Sequence, residues 1–380
     1  MKKLVIIVTV PVVLETWLKG QAKFLSNYYA VEIITAPSHT IPSIASYENV
    51  SIKTMDFNRQ INFFKDIKVL MQLWLYLLKE KPSIVYTLTP KAGLLGMMAS
   101  WLSGVKHRVH CVVGLPHLEA AGNRKKILTI TEKITYFFSS KIYCNSINLK
   151  EIVASMTSKS VDVIGNGSVN GVDTEYFKVS LTSEEKTQVL KNLGFKTDDF
   201  IITFVGRIVK DKGINELLNV FNDLSLKYAN IKLLLIGDYK NESDPISEKS
   251  MKIIDENLSI KYLVFQEDVG IFMSISNLFV LPSYREGLPN VLIEAGSYGI
   301  PLVATNINGC NEIITHNQNG VLVRKKDEKD LSNVIEKFIT DKEFYQKIKT
   351  NIRSSIVSRY DQKYFFSELL KEFQNIESTK

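Results

Sequence analysis

Short apolar runs alternate with longer amphipathic stretches along nearly the whole chain. Residues 3–10 form the first run, the length of one buried strand, and residues 14–28 follow with apolar positions at helical spacing. The same reading gives strands over 31–36, 51–56, 83–89, 107–113, 141–145 and 161–164. Helices fall between them over 61–81, 91–103, 124–139 and 148–156, the second carrying Gly93 and Gly96 for close packing on a sheet. Strands that are apolar throughout are covered on both faces, which is the pattern of a parallel sheet between two layers of helices.

The texture changes over residues 165–173, GNGSVNGVD, and stays polar to residue 199, which marks a linker. The alternation then resumes, with strands over 201–206, 232–237, 262–266, 278–281, 301–305 and 320–323. Residues 327–380 read as helices. The pattern predicts an α/β chain of two doubly wound parallel-sheet domains, residues 1–168 and 169–360.

Length and composition agree with that division. The chain has 380 residues, 45% hydrophobic and 23% charged, enough for two cores. Cys111, Cys144 and Cys310 lack metal-binding spacing and fit a reducing compartment without a disulfide framework. The N-terminal MKKLVIIVTVPVV is short for a leader, lacks a small-residue cleavage site, and reads as the first strand. Residues 69–78, VLMQLWLYLL, fall well below the ~20 apolar residues that span a bilayer, and read as a buried or interfacial helix. A net charge of +7 favours anionic partners. No nucleic-acid module is visible, so a nucleotide and an anionic membrane surface are the expected ones.

Candidate chemistry concentrates in residues 278–296, LFVLPSYREGLPNVLIEAG. The strand breaks at Pro282, passes a polar turn, and restarts as a helix with Pro289 at its first position. Such a turn lies where open α/β sheets bind ligands, and helix-start N–H groups suit phosphate. Glu286 stands in the mouth of the turn, and Glu294 lies about two helical turns on. The strand over 201–206 runs into FVGRIVKDKG, so Arg207 and Lys212 leave its carboxyl end. Two cations there suit a departing diphosphate, and the planar fork of arginine suits phosphate oxygens.

Taken together, EGLPNVLIEA and the Arg207–Lys212 spacing resemble the donor-site signature of the family-four retaining glycosyltransferases. That resemblance implies the GT-B fold, two Rossmann-like domains facing a central cleft, with acceptor bound by the first and nucleotide sugar by the second. It implies that a last helix over about 361–380 returns to the first domain. Arg207, Lys212 and Glu286 would carry catalysis, the two cations on the diphosphate and Glu286 on the sugar hydroxyls. Gly206, Gly287, Leu288, Pro289, Asn290, Val291 and Leu292 would complete the donor site, with Glu294 on the ribose. In GIPLVATNINGCNEI, Gly309 and Glu312 would shape the neighbouring turn. VDVIGNGSVNGVDTEYF and LTPKAGLLG resemble the capsule and O-antigen branch of the family. Its members extend polyprenyl-diphosphate-linked glycans, the O-antigen of lipopolysaccharide among them, at the cytoplasmic membrane face.

By position, Lys91, His110, His117 and Glu119 are the expected acceptor contacts, with His117 as a catalytic helper. The loop after the first strand, TVPVVLETW, has no glycine where the family has a glycine-rich loop, and Val113–Gly114 stands where it often has His-Gly. The basic cluster Arg124, Lys125 and Lys126 opens an apolar stripe and is an expected contact with anionic lipid. No cofactor and no obligatory protein-bound metal are expected. The expected function is transfer from a UDP-sugar to a lipid-linked saccharide by a peripheral cytoplasmic protein. Two other readings stay open: another GT-B enzyme, such as a nucleotide-sugar epimerase or an inverting transferase, or a nucleotide-sugar-binding subunit without activity.

Overall fold

Mostly apolar segments such as KLVII and IVYTL become interior strands because helices cover both of their faces. The computed structural model describes residues 1–58, 62–118, 120–178, 181–238, 244–266 and 268–378. The chain divides into two compact units, Met1–Gly171 with Gln362–Lys380, and Val172–Asp361.

In the first unit, strands β1 (Lys3–Ile7), β2 (Ala30–Thr35), β3 (Ser51–Thr54), β4 (Ile84–Leu88), β5 (His107–Val112), β6 (Lys141–Cys144) and β7 (Val161–Val163) form one parallel sheet. Their order is β3-β2-β1-β4-β5-β6-β7, which reverses direction between β1 and β4. The helices are α1 (Val12–Thr16), α2 (Gln21–Leu25), α3 (Ile41–Glu48), α4 (Phe63–Glu80), α5 (Pro90–Leu102), α6 (Gly122–Phe138) and α7 (Ile147–Ala154). Period two splits the first strand between two cores. Leu4 and Ile6 pack with α1 and α2, while Val5 and Ile7 pack with Val69, Leu73 and Leu77 of α4.

The pattern-based reading needs three corrections. The helix expected over 14–28 is two short ones, because Glu48 accepts the N–H groups of Gly20 at 2.6 Å and Lys23 at 3.0 Å and so starts α2 separately. Helix α3 fell in a stretch too short to show a period. Within the polar linker lies α8 (Ser183–Leu193), started by a capping box between Thr182 and Glu185.

The second unit repeats the plan with β8 (Phe200–Val205), β9 (Ile231–Ile236), β10 (Ile260–Leu263), β11 (Leu278–Leu281), β12 (Leu302–Thr305) and β13 (Gly320–Val323). Their order, β10-β9-β8-β11-β12-β13, reverses between β8 and β11. Helices α9 (Ile214–Lys227), α10 (Glu248–Glu256), α11 (Gly270–Met273), α12 (Asn290–Ser297), α13 (Cys310–Ile313), α14 (Glu328–Thr340) and α15 (Lys342–Tyr360) follow α8. Helix α16 (Gln362–Ser378) then belongs to the first unit, where Phe365, Leu369 and Phe373 join the core of Leu4 and Ile6. Tyr143 of β6 donates to Glu372 at 2.5 Å from the same side. No described helix is long and apolar enough to cross a membrane.

Candidate active site

The reversal of strand order between β8 and β11 parts the loops that leave their carboxyl ends, which is where doubly wound sheets bind ligands. Two turns meet there. The first follows β8, passes Gly206 and the exposed Arg207, and closes as a single helical turn over Lys210–Lys212. The second follows β11 and carries Pro282 to Pro289 into α12.

These turns are fastened to each other. Lys212 Nζ lies 2.6 Å from Glu286 Oε1, with both side chains mostly buried. The pair joins residues 74 positions apart, both of them candidates from the sequence. Arg285 donates to Asp211 Oδ2 through Nε at 2.9 Å and Nη2 at 2.6 Å. The Tyr284 N–H donates to the Asp211 carbonyl at 2.7 Å, and the Tyr284 hydroxyl to Glu216. Gly213, at φ +70°, ends the first turn against the second. A Cβ there would lie 2.1 Å from the Pro282 carbonyl oxygen, so this approach requires glycine. Gly309, at φ +77°, does the same on the far side, where a Cβ would lie 2.0 Å from the Gly287 carbonyl oxygen.

Helix α12 starts one residue later than the sequence reading placed it. Pro289 is the N-cap, at φ −76° and ψ 99°, because a cap residue is extended rather than helical. Proline has no side-chain acceptor, so no side chain caps the helix. Among the described residues, the backbone N–H groups of Gly287, Leu288, Asn290 and Val291 have no protein acceptor, whereas that of Leu292 bonds Pro289 at 3.0 Å. The arrangement offers several convergent donors beside an ammonium group, a geometry suited to an anion. Gly206 instead spends its N–H on Ile236 at 2.9 Å.

Glu294 lies on α12, half-buried. Burial pushes its carboxyl up to about 7, with no cation to offset it. Cys310 is fully buried, and its thiol is held well above the ordinary range, by burial first and by the Glu286 charge second. Among the described residues no group of three or more His, Cys, Asp or Glu could hold a metal ion.

In the first unit the reversal between β1 and β4 gathers Thr9, Thr89 and Lys91. Thr89 is held at φ +69°, strained for a β-branched residue, with its hydroxyl 2.7 Å from that of Thr9. Lys91 pairs with Asp66 at 2.8 Å. His110 is a core residue. Its Nδ1 lies 2.8 Å from the Thr87 hydroxyl, its ring packs over Gly93, and burial lowers its pKa to about 4. That position leaves it no open face for a ligand, contrary to the sequence expectation. His117 is in a single helical turn over Pro116–Leu118, with Nδ1 buried and no partner for it among the described residues. Burial, and then Lys125, keep its pKa below the ordinary value. Glu119 lies outside the described residues.

Asp211, Arg285, Tyr284 and Thr89 escaped the sequence reading. The opposed charges of KDK and YRE were a signal for the first two.

Residues 185–355 match the family of glycosyl transferases group 1. The chain is 33% identical over 357 residues to the capsular polysaccharide biosynthesis glycosyltransferase CapM of Staphylococcus aureus, covering 93% of this chain and 92% of the relative. It is 30% identical over 315 residues to the Escherichia coli UDP-Gal:alpha-D-GlcNAc-diphosphoundecaprenol alpha-1,3-galactosyltransferase, covering 80% of this chain and 78% of the relative. Among solved structures, HepE from Anabaena in complex with UDP and glucose superposes with a TM-score of 0.81 at 18% identity, over 99% of this chain and 100% of that one.

Proposed function

From its membership of the group 1 glycosyltransferases, the retaining family-four enzymes of GT-B fold, to which this chain belongs, we propose that it moves a sugar from a UDP-sugar to a polyprenyl-diphosphate-linked saccharide. The product would be a capsule, O-antigen or exopolysaccharide precursor, made at the anionic inner face of the cytoplasmic membrane. The observation that carries the reading is the fastening of Lys212 to Glu286 beside unpartnered helix-start N–H groups at the strand-order reversal. The second unit thus serves the donor and the first the acceptor.

The chemistry follows from charge. As the bond from the anomeric carbon to the diphosphate breaks, its electron pair leaves on a phosphate oxygen. Arg207, Lys212 and the N–H groups of Gly287, Leu288, Asn290 and Val291 stabilise that anion, an effect already built into the folded site. Glu286 exchanges Lys212 for the hydroxyls of the donor sugar, and Glu294 accepts from the ribose hydroxyls. The acceptor oxygen bonds the anomeric carbon on the face the diphosphate leaves. Its proton passes to the departing phosphate oxygen, so configuration is retained. Lys91 and His117 would orient the acceptor in the first unit.

Thermal stabilisation against UDP-, GDP- and TDP-sugars tests the donor half. At ~100-fold over the dissociation constant, binding adds about 2.7 kcal/mol to stability. A shift with one UDP-sugar that disappears in Arg207→Ala and Glu286→Ala is expected. No shift with any nucleotide sugar refutes the reading. Transfer to a lipid-linked acceptor with retained anomeric configuration tests the rest.

A further inference from the structure

We infer that a cavity at the amino ends of β1, β4 and β5 binds a small phosphorylated polyol, such as a sugar phosphate, apart from the residues of the proposed reaction. The inference stands on the first unit alone and does not rest on that reaction.

The cavity measures about 400 Å³, within the ~300–1,000 Å³ usual for small-molecule sites. Lys2 precedes β1, Ser83 precedes β4 and His107 opens β5, so the same end of three neighbouring strands lines it. Thr9 follows the opposite end of β1, and Thr89 and Lys91 follow that of β4. The five residues of β4 put roughly 17 Å between the two sets, at ~3.3 Å per residue. A small molecule filling the cavity therefore lies out of reach of the expected acceptor contacts.

The wall is cationic. It holds the three ammonium groups of Lys2, Lys81 and Lys106 against one carboxylate, that of Glu377. Lys81 ends α4 at φ +45°, where glycine is the ordinary residue, and its side chain has no partner among the described residues. A plain reason for cations here would be the helix C-termini, whose carbonyls attract them. At α5 that demand is already met. The carbonyls of Ala99, Ser100 and Trp101 accept the N–H groups of Ser103 at 3.0 Å, Val105 at 2.9 Å and Gly104 at 3.0 Å, and Leu102 accepts Trp74 Nε1 at 3.3 Å. Arg108 takes the carbonyls of Val105 at 2.6 Å and Lys106 at 3.2 Å, which sets a further cation behind the wall. Positive potential converges on His107. Its pKa is held below the ordinary value by burial first and Lys106 next; Glu377 opposes them, and Lys2 and Arg108 add.

Two observations specify the rest of the ligand. Glu377 Oε2 takes Lys2 at 3.3 Å and the Tyr29 hydroxyl at 3.4 Å, while Oε1 is buried with no donor among the described residues. Buried carboxylate oxygens are ordinarily hydrogen-bonded, and a ligand hydroxyl supplies the missing donor. No Phe, Tyr or Trp among the described residues lines the cavity, so nothing offers a nucleobase a face to stack on. A phosphate for the lysines and a hydroxyl for Glu377 together describe a phosphorylated polyol.

The test is calorimetric titration of the whole protein with glycerol 3-phosphate, glucose 6-phosphate and inorganic phosphate, each with and without saturating UDP. A single site for a phosphorylated polyol, unchanged by UDP, is expected. Lys81→Gln with Lys106→Gln should weaken it at least about 10-fold, because each removes a hydrogen bond between charged groups. Glu377→Ala should cut the preference for the polyol phosphate over inorganic phosphate by about 10-fold. Both variants should keep the wild-type melting temperature. Binding should also move the His107 titration, followed by NMR, to higher pH, a readout that needs no variant. No binding of either polyol phosphate overturns the inference. So does binding that UDP competes away, which would put the phosphate in the second unit, and so does binding indifferent to the lysine changes. An unchanged preference in Glu377→Ala overturns the assignment of a polyol.

Discussion

Glu294→Gln separates what the candidate ribose carboxylate costs the fold from what it contributes to binding. Burial raises the Glu294 carboxyl from its ordinary value of 4.5 to about 7. Between those values the folded chain keeps a proton that the unfolded chain has lost. Stability therefore falls as pH rises through that window and levels off above about 7. At ~1.4 kcal/mol per pH unit, the ionised carboxylate costs the protein at most about 3 kcal/mol when no nucleotide is bound. Glutamine keeps the shape of the protonated acid and cannot ionise. The variant should match wild type near pH 4.5 and melt higher by up to roughly 10 °C near pH 8, given ~2–4 °C per kcal/mol for a unit of this size. Scanning calorimetry across that pH range, with and without a UDP-sugar, measures both quantities. The donor's stabilisation of wild type should grow from pH 4.5 to 7, because ribose hydroxyls donate to the ionised form. In the variant it should be weak and flat. Parallel curves for the two proteins, or a variant that melts lower near pH 8, would refute the reasoning.

Four further outcomes follow from the site geometry. Lys212→Met and Glu286→Gln should couple by about 1–3 kcal/mol in a double-mutant cycle of melts, because the pair is mostly buried; additive effects would mean that the contact is not formed in solution. Lys212→Ala should lower kcat by about 10²–10³-fold, since it removes one preorganised cation. Gly213→Ala should destabilise the second unit by at least about 2 kcal/mol and lose UDP-sugar binding, because left-handed alanine and contact with the Pro282 carbonyl add; a wild-type melting temperature would contradict this. His117→Gln should leave UDP-sugar binding intact and raise the acceptor KM with little change in kcat, whereas a kcat loss of 10²-fold or more would make His117 the general base instead.

The sheet architecture was legible because buried parallel strands are apolar throughout, and strand β11 was read at its exact bounds from LFVL alone. Its partners across the sheet were not, since pairing order depends on which helices return to which side. The turn proposed to bind the donor was visible as a string of residue types, and its assembly was not. The close approaches at Gly213 and Gly309, and the clasp of Asp211 on Arg285, involve partners far apart in sequence. His110 misled because position at a strand suggested a function, while the ring's contacts with Thr87 and Gly93 make it a packing element. The helix over 69–78 stays open in the sequence as buried or interfacial, since a sequence does not say which of two apolar sides is covered; Val69, Leu73 and Leu77 are buried, while Met71, Leu75 and Leu78 are exposed.

Helix α16 sets an order of events during synthesis. Residues 362–378 leave the ribosome only after the whole of Val172–Asp361, a continuous segment that holds every strand of its own sheet. The unit begun first is therefore finished last. Until Phe365, Leu369 and Phe373 arrive, Leu4, Ile6 and Tyr86 lack part of their cover. A chain ended before residue 362 would hold a closed second unit and a first unit with an open apolar side, the state in which chaperone capture and aggregation of this protein should concentrate.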